Sequence, residues 1–274
     1  MEAKMQTQEQ NNYLSAKELV ELGVNNLEST TSFKNSLTKS NEEVNFSYQG
    51  IDFKSKELTL LTCKSSETSS AFALNIMHDV CINQKLSAAY FSFGSIDYEN
   101  IFSHLIAIDS KILIGKFWCG RLSVDDLEII KESSGKIHNR TFFVYHDEKL
   151  SVKKFVKSVR KIYIENKIKL LILDTNNLSS NNPEEIGSFL CEDKQLSRIL
   201  NIPVLLLIEE KSFKRLKKWL TENANQLILL TRNQKKLQCE SLKIDCQIKI
   251  RRGKEKALKN LKFNMATRVF ELSE

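Results

Sequence analysis

Glycine and proline are scarce, 8 and 2 in 274 residues. So few breakers mean few tight turns, and strands alternating with longer periodic segments argue against an all-β chain. Cysteine builds nothing visible either. Its six copies, at 63, 81, 119, 191, 239 and 246, include no C-x-x-C pair and no Cys/His cluster at zinc-like spacing, so they read as reduced, mostly buried thiols. No window approaches ~18 consecutive apolar residues. "MEAKMQTQEQNNY" has no apolar segment of the signal-peptide kind. The expectation is a cytoplasmic protein that does not enter a membrane.

What is present is a foldable chain with a basic surplus. Apolar residues make up 41%, enough for a core, and Lys+Arg exceed Asp+Glu by 41 to 34, for a net charge of +7. A basic surface favours polyanionic partners. Residues 1–45 read as a polar tail and linker holding one amphipathic helix at about 14–28, where Leu19, Val20, Leu22, Val24 and Leu27 share a side. That helix cannot bury its face alone and is expected to dock on this domain or a neighbouring subunit. Residues 46–274 read as one domain. Strand candidates "LTLLT", "AAYFSF", "TFFVY", "KLLILD", "PVLLLI", "QLILLT" and "IDCQIKI" are separated by mostly helical segments. Several are continuously apolar, as in a sheet covered on both faces. The expected fold class is α/β, a mostly parallel twisted sheet flanked by helices on both faces, with antiparallel strands near the C-terminus.

"TLLTCKSSETSSAFALNIM" (59–77) reads as strand, polar loop, helix, the frame of a phosphate-binding loop. Further on come "AAYFSFGS", "GRLSVDDL", "LLILDTNNL", "LSRILNIPVLLLIEE", "QIKIRRG" and "TRVFE". In this order the segments resemble the C-terminal, RecA-like motor domain of DnaB-type replicative helicases over roughly residues 50–271. The resemblance implies a P-loop NTPase fold, ATP with Mg²⁺ as family ligands, DNA replication as context, and assembly with other helicase subunits.

Carried over position by position, the resemblance places the P-loop glycines at Thr62 and Thr68, the lysine at Ser69 and the Mg²⁺-binding hydroxyl at Ser70. A lysine reaches β/γ oxygens and glycines let the backbone N–H groups form a nest. Only Ser70 keeps that chemistry. Thr68 in left-handed backbone would cost roughly 1–2 kcal/mol, and Lys64 is the nearest substitute cation. The Walker B aspartate falls on Asp174, a Mg²⁺ ligand with Ser70 wherever nucleotide binds. The catalytic glutamate falls on Gly94, which cannot polarise water, and the polar sensor on Glu209, whose charge opposes a γ-phosphate. The resemblance also makes Lys249 and Arg251 trans fingers that reach a neighbour's nucleotide. Read alone, the same stretch is a solvated basic turn.

"KSFKRLKKW" offers Lys211, Lys214, Arg215, Lys217 and Lys218 where the family projects a DNA-contacting loop. It also has the spacing of an amphipathic helix with solvated lysines. The four histidines have no ligand spacing, and Asp125 and Asp126 read as helix-start carboxylates without a catalytic role. The leading expectation is a pseudo-ATPase of the helicase family with no nucleotide cofactor of its own. It would bind single-stranded DNA or helicase subunits as a homo-oligomer or in a mixed ring. The alternatives are an active ATP-dependent helicase with an atypical P-loop, and a RecA-fold interaction protein that binds neither nucleotide nor DNA.

Overall fold

The computed structural model describes residues 43–93, 96–146, 152–176, 194–232 and 243–273, all within the unit Glu42–Glu274. The helix expected at about 14–28, Gly94 and most of the helical segment expected from Pro183 lie outside them.

Two short strands, β1 (Phe46–Tyr48) and β2 (Ile51–Phe53), pair antiparallel through a turn at Gly50. Gly50 has φ +68°, a left-handed conformation that favours glycine. A nine-stranded sheet follows. β3 (Leu58–Cys63), β4 (Ala88–Ser92), β5 (Phe142–His146), β6 (Leu170–Asp174), β7 (Val204–Glu209) and β8 (Gln226–Arg232) run parallel. β9 (Lys243–Arg252), β10 (Glu255–Asn264) and β11 (Val269–Leu272) add antiparallel pairs. The strand order is β11-β10-β9-β8-β3-β7-β6-β4-β5. β3, β4 and β6 are buried at every residue, which is why their sequences run apolar without alternation.

The helices are α1 (Ser66–His78), α2 (Tyr98–Ser110), α3 (Ile114–Trp118), α4 (Val124–His138), α5 (Val152–Asn166) and α6 (Glu210–Asn223), with a further helical stretch at 194–200. No helix among the described residues is long and apolar enough to cross a membrane. α1 follows β3 after a short loop and is buried from Thr68 to Met77. Phe72 meets Phe270 edge-on at 5.0 Å, and Phe270 stacks on Phe263 at 4.2 Å. Each such pair adds about 1 kcal/mol beyond area burial. Asn75 ties the same helix to β11: its amide donates to Arg268 O at 2.7 Å, and its Oδ1 accepts from Phe270 N. The expected strands all form. β10 is an addition to them, because "EKALKNLKFN" buries only Leu261 and Phe263 and is exposed over most of its length.

Candidate functional site

The six parallel strands end at one edge of the sheet, where ligands bind in open α/β folds. Register sets Cys63 against Glu209 and Leu230, and Asp174 against Ser92 and Leu207. A cavity of about 640 Å³ opens there, lined by Cys63, Lys64, Ser65, Glu210 and residues 229–232.

The loop leaving β3 does not form an open nest. Ser65 caps α1, and the helix starts at Ser66. The Thr68 N–H donates to Ser65 O at 3.1 Å and to Ser65 Oγ at 3.3 Å, and the Ser69 N–H donates to Ser65 O at 3.1 Å. These are the donors a glycine-rich loop would aim at phosphate. Thr68 therefore lies inside α1, not in left-handed backbone, and the strain expected there does not arise. Thr62 is fully buried in β3, its hydroxyl without a partner among the described residues. Ser69, at the lysine position, is fully buried; its hydroxyl donates to Ser66 O at 2.9 Å and accepts from Asn176 Nδ2 at 3.0 Å. Glu67 in the first turn pairs with Arg268 at 2.5 Å. It puts a carboxylate at the helix end whose dipole favours an anion.

Asp174 closes the β6 end of the site and is fully buried. Its Oδ2 accepts from Ser70 Oγ at 2.5 Å and Tyr90 OH at 2.6 Å. Its Oδ1 accepts from Asn176 Nδ2 at 2.8 Å and Asn176 N at 3.2 Å. Burial, and then the Asp174 charge, push the Tyr90 phenol well above its ordinary range, so it stays a donor. Ser70 and Asp174 are thus brought together as expected, but by a direct hydrogen bond.

Arg232 and Tyr90, like Asn176, are absent from the sequence reading. Arg232 Nη1 donates to Thr68 Oγ1 at 3.1 Å, so a guanidinium reaches the loop where no lysine does. Its only signal is an arginine closing the apolar run "QLILLTR". Tyr90 is hidden inside the apolar "AAYFSF". Lys64 is exposed on the cavity rim. Glu209 ends β7 and precedes α6 without a side-chain capping bond, 3.8 Å from Lys211 Nζ. Gly94 falls outside the described residues.

Lys249 and Arg251 are exposed on β9, opposite Leu258 and Lys256 of β10. Arg251 also faces Leu227 on β8, five residues before Arg232, which is roughly 17 Å along the strand. Arg251 therefore sits toward the opposite end of β8 from Arg232, whereas Lys249 faces Leu229, which lines the cavity. Arg252 is tied down locally by Glu57 at 3.2 Å and Asp52 O at 2.8 Å. The segment holding Lys211, Lys214, Arg215, Lys217 and Lys218 is a continuous helix, α6, and not a projecting loop. Phe213 and Leu220 are buried, while Lys211, Lys214, Arg215, Lys217 and Lys218 lie on that helix with Lys214 paired to Glu210 at 2.8 Å.

The model of the DnaB-like helicase C terminal domain matches residues 42–271. The replicative DNA helicase DnaB of Rickettsia prowazekii is 22% identical over 217 residues, covering 71% of this chain and 44% of that protein. The one from Treponema pallidum is 22% identical over 163 residues, covering 57% and 36%. The chain thus spans less than half the length of these curated relatives. Among solved structures, an isolated ATPase domain superposes with a TM-score of 0.69 at 16% identity, covering 96% of this chain and all of that one. A DnaB-like replicative helicase studied with primase gives 0.71 at 15%, covering 94% and 70%. These likenesses establish the RecA-like fold.

ATP with Mg²⁺ needs free N–H groups in the loop, a cation at position 69 and free oxygens on residues 70 and 174. Here the N–H groups of 68 and 69 are capped, position 69 is a buried serine, and both Asp174 oxygens are engaged. The residues as they stand do not fit that ligand pair.

Proposed function

The chain belongs to the DnaB-like helicase C-terminal domain family, and from that premise we propose that it is a member which does not hydrolyse ATP at its own site. It acts instead as a DNA-binding or helicase-associated subunit in DNA replication or mobile-element biology. The reading is carried by the loop after β3, whose N–H groups at 68 and 69 are held by Ser65 and whose Ser69 hydroxyl is held by Asn176. Purified protein with Mg²⁺ and ATP should release no phosphate above background, with or without Asp174→Ala. Mg²⁺-dependent turnover abolished by that substitution refutes the reading.

The cations of α6 support a nucleic-acid role, and Lys249 and Arg251, exposed on β9, support contact with a neighbouring subunit. Single-stranded DNA binding should weaken about a hundredfold between 50 and 200 mM salt if five phosphates are neutralised. Fluorescence anisotropy with oligo-dT measures it. Alanine at Lys211, Lys214, Arg215, Lys217 and Lys218 should flatten the salt dependence. Absence of any salt-sensitive binding turns the reading to a pure interaction protein. One observation favours a second reading, anion binding without cleavage: Lys64 and Arg232 both line the 640 Å³ cavity.

A further inference from the structure

We infer that the hydrogen-bond network around Asp174 is itself a barrier to Mg²⁺ and phosphate, separate from the missing lysine, and that Tyr90 and Asn176 maintain it. The inference rests on the pseudo-ATPase reading above and names what keeps that site shut.

Asp174 sits at the end of β6, between β4 and β7. Tyr90 lies on β4, two residues before Ser92, the register partner of Asp174, and is itself fully buried. Its hydroxyl donates to Asp174 Oδ2. A proton on that oxygen stands where a cation would need a lone pair, and Mg²⁺ demands near-octahedral oxygen ligands at about 2.0–2.1 Å. To admit the ion, Oδ2 must release Tyr90, depriving the buried phenol of its carboxylate acceptor, an outcome folded proteins avoid.

Asn176 closes the other side. Its amide donates to Asp174 Oδ1 and to Ser69 Oγ, while its backbone N–H also bonds Oδ1. One side chain therefore links the lysine position to the metal-binding carboxylate. Restoring a lysine at 69 supplies charge but frees neither oxygen of Asp174. The carboxylate has become an internal fastener between α1, β4 and the end of β6.

The test uses the full chain in four forms: wild type, Ser69→Lys, Tyr90→Phe/Asn176→Ala, and all three changes together. Each is titrated with a fluorescent ATP analogue and Mg²⁺ and melted thermally. Ser69→Lys alone should bind no better than wild type. The triple variant should bind at least tenfold tighter than Ser69→Lys. Equal binding by those two overturns the inference and leaves the pseudo-ATPase reading standing, whereas Mg²⁺-dependent ATP turnover by wild type overturns that reading first. Because a lysine at buried position 69 can prevent folding, a second pair of variants decides independently. Asp174→Ala should lower the melting temperature by about 10 °C, and Tyr90→Phe by several degrees, since both strand buried groups. An unchanged or raised melting temperature for Asp174→Ala overturns the inference, because a residue kept for ligand binding is usually neutral or stabilising to remove.

Discussion

Acidification from pH 6.5 to 4.5 is expected to cost the fold about 2 kcal/mol through one residue, His104. Its side chain is 3% exposed on the inner side of α2, and its Nδ1 has no partner among the described residues. Burial, and secondarily the nearby Arg268 charge, lower its pKa to about 3. The unfolded chain takes up the proton near pH 6.5 and the folded one resists it, so stability is full above 6.5 and falls as pH drops toward about 3. The slope is about 1.4 kcal/mol per pH unit. His78, also lowered by burial against the opposing pull of Asp109, adds to the loss with the same sign. Asp109 and Asp126, whose carboxyls are held below their ordinary range, contribute only at lower pH. Urea unfolding at half-unit steps, wild type beside His104→Phe, should show a shallower slope in the variant by about that amount. Identical slopes would mean that His104 is protonated in the fold.

Replacing Arg268 with methionine should destabilise the protein by about 2 kcal/mol. The side chain is 5% exposed, pairs with Glu67 at 2.5 Å and lies over the Trp118 ring at 5.4 Å. Breaking a fully buried ion pair costs about 3–5 kcal/mol. Glu67 is 54% exposed and rehydrates when released, so the smaller figure applies. Arg268 also holds residue 67 in place, so the first turn of α1 is fastened to the turn before β11. Denaturant midpoints of Arg268→Met and Glu67→Gln measure both sides of the pair. If neither midpoint moves, the pair does not form in solution. Removing this cation should also raise the His104 pKa, so the acid loss narrows in Arg268→Met.

The central sheet is legible because burial on both faces writes itself as unbroken apolar runs, and "KLLILD" and "PVLLLI" correspond to β6 and β7. β10 is not, because a strand near the sheet edge keeps only Leu261 and Phe263 inside and leaves its other residues, polar and apolar alike, at least partly exposed. The site is half legible. Serine at position 69 is visible as a letter, and Asp174 is found by following a strand to its end. The early helix start at Ser66 is a matter of Ser65 capping, which a motif comparison reads as a substituted glycine loop. Tyr90 and Arg232 escape for a related reason. Each polar group is embedded in or ends an apolar run, and its partner lies over 80 residues away in sequence, at Asp174 and Thr68. α6 satisfies an amphipathic helix and a basic surface at once, since a helix with an apolar stripe leaves its lysines outward whether or not DNA meets them.

The loop after β3 is proposed to bind no nucleotide, its N–H groups at 68 and 69 being held by Ser65. Isothermal titration of wild-type protein with Mg²⁺ and a non-hydrolysable ATP analogue tests it most directly. The account predicts no saturable heat up to about 1 mM, the upper end of ordinary enzyme affinities for substrate. One analogue bound per chain in the micromolar range, and lost when Mg²⁺ is withdrawn, would contradict it.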